Sequence, residues 1–302
     1  MGLSAVYLAT VFNSTIRLMA PILFVALTAC LCSKVGVFNI GLEGTMLAGA
    51  FFAIMTLYYT HNVALSVLAA AAAGTIISAV VALLIVKFGA TPLVVGVSTN
   101  TLMSGLTTFL MTVVFGSKGV FYDSSLKGLP KISLPLISKI PIVSTMVKEL
   151  TILDYMAFIS AFLVYVFMYK TVTGYRLRAI GTNKEAARSL GTDVDRFQII
   201  TVALSGALAG IGGSMLTVAG TVIYTQNISS GKGYIALAAN NLAVSHPLGA
   251  MASALLFGFS DAIGNMLQNT SIKSSILDAI PYAVTIIALV YMYIRDNKKS
   301  IK

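Results

Sequence analysis

Long stretches without a charged side chain alternate along the chain with short polar connections. Residues 63–86 and 92–115 contain no Lys, Arg, Asp or Glu, and each is long enough to cross a hydrocarbon core, which takes about 20 apolar residues per helix. In lipid every backbone polar group must be satisfied within its own helix, so such stretches mark crossings better than helix propensity does. The same reading gives spans over residues 38–60, 152–170, 197–223, 248–268 and 279–294. Tyr58-Tyr59-Thr60-His61-Asn62 separates the second span from the third as an interfacial turn with its aromatic belt. Residues 233–245 are too short to cross comfortably and predict a half-helix or a broken segment. Residues 3–33 are too long for one upright helix and carry Arg17 and Pro21. We expect a span from Thr15 to Ser33, with Arg17 snorkelling to one interface and a short interfacial segment before it. Arg17, the apolar stretch after it and Leu27-Thr28-Ala29-Cys30 also resemble a lipoprotein signal peptide, but the chain then returns to membrane-like sequence. The predicted fold is an all-α integral membrane protein, a polytopic helical bundle of about nine spans including one short or broken helix, in a single transmembrane domain over residues 1–302.

Composition excludes a water-soluble domain. Of the residues, 57% are apolar and 10% charged, against about 45–50% and about 25% in soluble domains, and the mean hydropathy is +0.91. The formal charge of +10 would raise nucleic acid as a partner in a soluble protein. Here no basic stripe interleaves with exposed aromatics, and the cations lie between apolar runs, so the excess reads as topology. Lys170, Arg176, Arg178, Lys184, Arg188 and Arg196, and Arg295, Lys298, Lys299 and Lys302 in the tail, place both regions in the cytoplasm. Nine passes with the amino end outside satisfy both. This puts the 117–150 connection outside despite Lys118, Lys127, Lys131, Lys139 and Lys148; with Pro130, Pro135 and Pro141 it suggests a small ordered external cap. Cys30 and Cys32, two apart in an apolar run, support neither a disulfide framework nor a zinc site.

No catalytic constellation is present. The two histidines, His61 and His246, form no His-Glu-x-x-His, and there is no Gly-x-Ser-x-Gly and no phosphate loop. We therefore expect no enzyme activity, cofactor or metal in the chain itself, and any transport must draw on an ion gradient or another subunit.

Three kinds of feature could carry function. In the cytoplasmic connection 173–196, Thr182 with Glu185 three residues on is a capping-box pattern. Ala186, Ala187 and Leu190 give a small apolar face, and Gly191 suits a stop. A short surface helix follows, flanked by Arg176 and Arg178 and close to Gly181; about two turns of helix are unstable alone and need packing, although a solvated positive-inside loop accounts for the same pattern. Glu43, in GVFNIGLEG (36–44), either pins a helix start or lines a translocation route; a central charge in lipid costs at least about 2.5–3.5 kcal/mol. Asn39 braces a turn or faces a cavity, Asn100 lies mid-span, and Asn240 and Asn241 lie where a broken helix could offer amide groups to a pathway. The small-residue run Ser205 to Gly213 reads as helix packing.

Three blocks together, GVFNIGLEGTMLAGA (36–50), YRLRAIGTNKEAARSLGTDVDRFQIITVALSGALAGIGGSML (175–216) and 231–268 with its His246-Pro247-Leu248-Gly249 turn, resemble the permease subunits of bacterial ABC importers. The branch is that of branched-chain amino acid, simple-sugar and nucleoside systems, and residues 39–44 with 94–105 look closest to the nucleoside permeases. The resemblance covers most of the chain except 1–20 and 117–150. It implies a multi-pass protein of the bacterial cytoplasmic membrane that holds no nucleotide itself. It also implies a cytoplasmic ATP-binding subunit gripping Glu185-Ala186-Ala187, a second, non-identical permease, an external substrate-binding lipoprotein facing 117–150, and a lipid surround. Two alternatives stay open: a ribose-like sugar permease, and an ion-coupled secondary transporter, for which Glu43 and Asp261 would be the candidate carboxylates.

Overall fold

The computed structural model describes residues 3–132, 148–220 and 222–267, together with residues 283, 284, 286 and 290. The helices in chain order are α1 (Leu3–Lys34), α2 (Leu42–Thr60), α3 (Val63–Ala82, prolonged by a π-helical turn Leu83–Lys87), α4 (Pro92–Phe115) and α5 (Ile152–Lys170). Then come α6 (Val172–Thr182), α7 (Lys184–Ser189), α8 (Val194–Val218), α9 (Lys232–Leu242) and α10 (Pro247–Leu267). Among the described residues seven helices are long and apolar enough to cross a membrane: α1 to α5, α8 and α10. The expected span over 279–294 lies largely outside the described residues.

Local chemistry sets the ends. Asn62 Oδ1 accepts the N–H groups of Ala64 and Leu65 and starts α3. Pro92 opens α4, and Gly116 closes it at φ 62°. A reciprocal box between Thr151 and Asp154 starts α5. The segment 38–41, expected within the second span, is not helical; α2 begins at Leu42, after Asn39 Oδ1 has accepted the Gly41 N–H at 2.9 Å.

The amino-terminal region differs from expectation. It is one 32-residue helix with Pro21 inside it, about 48 Å long at 1.5 Å per residue, rather than a span with a separate interfacial segment. Packing overrides the proline: 89% of the apolar stretch of α1 is buried inside the protein, against 33% for α3 and 28% for α4. Around α1 stand α5, α8, α9 and α10, while α2 lies between α3, α4 and α8. The run 205–213 is where backbones meet. A Cβ on Gly210 would lie 2.0 Å from the Ala70 carbonyl oxygen of α3, and one on Gly213 2.0 Å from that of Met46 in α2. Only glycine permits this approach.

One end of the bundle gathers the expected external connections. Strand β1 (Val120–Tyr122) pairs antiparallel with β2 (Ile223–Thr225), Phe121 opposite Tyr224. Leu129 N–H donates to the Val218 carbonyl, Asn13 Nδ2 to that of Lys148, and Lys131 bridges to Glu149 at 2.8 Å. The rings of Tyr58, Phe115 and Phe121 cluster beneath. The turns after α2, α4 and α8 thus share one face with the start of α1, as alternating passes require. At the other face lie the end of α1, Lys87 and α6–α7.

Candidate functional site

Two linked features stand out: a junction inside the helical bundle and an elbow on the face expected to be cytoplasmic. The junction forms because the chain descends from β2 and starts α9 within the bundle. With 11 residues, α9 is about 16 Å long and crosses only part of the membrane, the half-helix anticipated at 233–245. Its first N–H groups have no partner within the helix. Glu43 supplies the partner: one carboxylate oxygen accepts from Ser229 Oγ at 2.5 Å and from Gly231 N–H at 2.8 Å, and the other from Gly233 N–H at 2.6 Å. The negative charge also sits favourably at the positive end of the α9 dipole. A Cβ on Gly233 would stand 2.5 Å from Glu43 Cα, so the glycine is what lets α2 and α9 close together.

Asn100 does for α2 what Glu43 does for α9. Its Oδ1 accepts the Gly44 N–H at 2.8 Å, and its Nδ2 donates to the Ile40 carbonyl and to the Tyr234 hydroxyl at 2.9 Å. Glu43, Asn100 and Asn39 therefore meet around one broken-helix junction, each buried with its acceptor oxygens occupied. Asn100 is eight residues beyond Pro92, which sets the junction about 12 Å from the cytoplasmic end of α4. Asn240 lies elsewhere, at the lower end of α9, where its Nδ2 donates to Ser33 Oγ at 3.1 Å. Asn241 is exposed and lines a cytoplasmic cavity with Arg178.

Sequence reasoning passed over Ser229, Gly231, Gly233 and Tyr234, whose roles need the fold to bring 43 and 229–234 together. It also passed over the outer surface of α4. Ser98, Thr101, Gly105 and Thr112 are exposed and Thr108 is partly so; their spacing of three and four residues aligns them in one stripe along the helix. Beside it runs an apolar stripe of Leu102, Leu106, Phe109 and Val113. A signal was available at 98–112, in polar side chains recurring at helical spacing within a charge-free span.

The elbow is built by α6 and α7. Gly174, Leu177 and Ile180 bury one side of α6, and a Cβ on Gly181 would lie 2.1 Å from the Lys34 carbonyl oxygen, so α6 rests directly on the end of α1. The Gln198 amide donates to the Val35 carbonyl at 2.9 Å and ties α8 to the same corner. Asn183, not Thr182, caps α7: its Oδ1 accepts the Ala186 N–H, whereas the Thr182 hydroxyl bonds back to the Arg178 carbonyl. The expected box fails because Thr182 belongs to α6 and the chain bends only at Asn183. Helix α7 ends at Ser189, and Gly191 turns at φ 79°. Ala187 points inward at 5% exposure, while Glu185 and Ala186 face solvent and Leu190 is 86% exposed. Arg188 bridges to Asp195 at 2.9 Å, and Arg178 lies over Tyr169 and Tyr175. Arg176 is exposed, with no ion pair among the described residues.

The chain matches the family model described as branched-chain amino acid transport system / permease component over residues 11–289. It is 32% identical over 298 residues to the guanosine ABC transporter permease NupQ of Bacillus subtilis (strain 168), covering 93% of this chain and 91% of that protein. It is 31% identical to the nucleoside ABC transporter permease NupC of Lactococcus lactis subsp. cremoris (89% and 87%). To TsgC13 of Haloferax volcanii, provisionally named a glucose ABC transporter permease, it is 29% identical (96% and 94%). A solved structure described as an inward-facing conformation of a provisionally identified metal-chelate type ABC transporter aligns with a TM-score of 0.52 at 16% identity, over 95% of this chain and 97% of that one. That last likeness concerns the fold.

Proposed function

The chain belongs to the family of branched-chain amino acid transport system permease components, and from that premise we propose that it forms one wall of an ATP-driven uptake pathway for nucleosides. It is a multi-pass permease subunit of the cytoplasmic membrane, and hydrolysis of ATP falls to a separate cytoplasmic subunit. Two relatives named for guanosine and nucleoside transport, each above 30% identity over most of the chain, support the substrate class.

The observation that carries the mechanism is the elbow. It is seated backbone to backbone on the end of α1 through Gly181, yet turns Glu185, Ala186 and Leu190 outward, as a gripped segment must. A push on α7 would travel through α6 to Lys34 and on through residues 35–41 to Glu43, which holds the amino end of α9. Tilting α9 would move Tyr234, which is 47% exposed, against Asn100 and the polar stripe of α4. In this reading Asn39, Glu43 and Asn100 set the geometry of the pathway wall. Ser98, Thr101, Gly105, Thr108, Thr112 and Tyr234 form its surface, opposite a second, non-identical permease, and the outer cap around β1–β2 receives the substrate-binding lipoprotein.

The test is nucleoside uptake into vesicles holding the complete transporter, with ATP inside and ion gradients collapsed. Uptake should persist under these conditions and compete with unlabelled guanosine; uptake that needs an ion gradient, or that glucose inhibits while nucleosides do not, rejects the reading. Glu185→Arg and Leu190→Asp should abolish stimulation of ATP hydrolysis by the loaded binding protein while leaving thermal stability unchanged. Normal stimulation in both would remove α7 from the mechanism.

A further inference from the structure

We propose that the cytoplasmic cavity between α1, α6 and the α9–α10 corner is a binding site for a phosphate group. The cavity measures about 560 Å³ and is lined by Ser33 and Lys34 of α1, Arg178 and Thr182 of α6, and Asn241 and Ser245 from the α9–α10 corner. Two cations converge there with the Ser33 and Ser245 hydroxyls and the Asn241 amide, and no carboxylate lines the cavity among the described residues. Neither Lys34 nor Arg178 has an ion pair among those residues. Such a set suits an anion with several acceptor oxygens.

Arg178 is prepared for that task. Its guanidinium carbon stands 4.5 Å from the ring centre of Tyr169 and 4.7 Å from that of Tyr175, and its Nε donates to the Met168 carbonyl at 3.1 Å. With two rings against the guanidinium and its Nε bonded to a carbonyl, the terminal nitrogens remain for donation to a ligand. A guanidinium held in this way loses little side-chain freedom on binding. Tyr169 is itself braced by Tyr165, with ring centres 5.3 Å apart, and by His246 at 5.2 Å. On the opposite wall Val244 and Ser245 both adopt left-handed φ, 52° and 54°, in the turn that ends α9, and Ser245 lies at the cavity wall.

A phosphate here would bridge α6 to the α9–α10 corner, which the Asn240–Ser33 hydrogen bond already ties to α1, and so couple the elbow to the lower end of α9. The site goes beyond the transport reading, and its occupancy can be measured without ATP or nucleoside. Its source is either a soluble phosphate or the headgroup of an anionic lipid.

The complete transporter, delipidated in a sugar-headed non-ionic detergent, is titrated with inorganic phosphate and, separately, with phosphatidylglycerol, following the unfolding midpoint against potassium chloride at matched ionic strength. We expect a saturable rise in the midpoint from at least one ligand, weakened about tenfold or more by Lys34→Gln or by Ser33→Ala, whose hydroxyl accepts from Asn240 and keeps its own proton to donate, since a charge-assisted hydrogen bond is worth about that factor. Lys127→Gln on the outer cap should leave it unchanged. A response to phosphate alone identifies a soluble anion, and a response to the lipid that inorganic phosphate does not reproduce identifies a headgroup; both support the site provided Lys34→Gln weakens them. An equal rise with chloride, no rise with either ligand, or an undiminished response in both Lys34→Gln and Ser33→Ala overturns it.

Discussion

Removing the Glu43 carboxylate separates a structural role from a transport role. Three donors converge on it, the Ser229 hydroxyl and the backbone N–H groups of Gly231 and Gly233. A hydrogen bond to a charged group contributes about 1.5–3 kcal/mol net, and a buried donor left unpaired costs about 1–3 kcal/mol. In Glu43→Gln the amide oxygen can keep Ser229 and Gly231, but the new NH2 faces the Gly233 N–H, so the loss is about 2–3 kcal/mol by the same figures. Glu43→Ala orphans all three donors, a loss on the order of 3–6 kcal/mol, which is a large share of the about 5–15 kcal/mol that holds a typical domain folded. For a chain of 302 residues Glu43→Gln should lower the unfolding midpoint by roughly 3–5 °C, and Glu43→Ala by more. Cys30 and Cys32 are both buried in α1, so a thiol-reactive dye in detergent reports the opening of the core directly. Midpoints within about 1 °C (under about 1 kcal/mol) for both variants would refute the capping argument. If transport were lost while those midpoints held, Glu43 would belong to the pathway surface.

Other consequences can be checked independently. Gly213→Ala should destabilise by at least about 1–3 kcal/mol, the usual cost of overpacking, because its Cβ would fall 2.0 Å from the Met46 carbonyl oxygen, whereas Gly105→Ala meets nothing within 4 Å and should leave the midpoint unchanged; equal midpoints would show that the backbones are not so close. Asn183→Ala should weaken α7 by about 1 kcal/mol and increase amide exchange at Ala186, with Thr182→Ala having little effect there; the reverse order would restore Thr182 as the cap. On the outer cap, Lys131 beside Glu149 holds that carboxyl below its usual 4.5. The contact is thus complete above pH 4.5 and fades as pH falls through the depressed value. In Lys131→Gln the Glu149 titration, followed by NMR, should move up toward its ordinary position, and an unmoved titration would show that the pair does not form.

Long apolar stretches with few or no charges located the membrane helices seen among the described residues, because lipid leaves the backbone no partner outside its own helix. Hence 63–86 and 92–115 reappear closely in α3 and α4, and the brevity of 233–245 announced the half-helix. The packing role of 205–213 was equally legible, since glycine spacing is a local property with one physical use in a membrane. What the sequence did not contain was depth and partnership. Pro21 suggested a break that burial of α1 overrides, and Thr182-x-x-Glu185 matched a cap that Asn183 supplies, because the chain bends one residue later. The partners of Glu43 are 186 to 190 residues away; only the meeting of α2 with α9 turned an isolated carboxylate into the cap of a helix that begins inside the membrane. The same holds for Arg178, whose two aromatic neighbours lie on different helices. Helix formation in lipid is a local necessity written residue by residue, whereas the pairing of buried polar groups is decided by which backbones can approach, and that exists only once the bundle has closed.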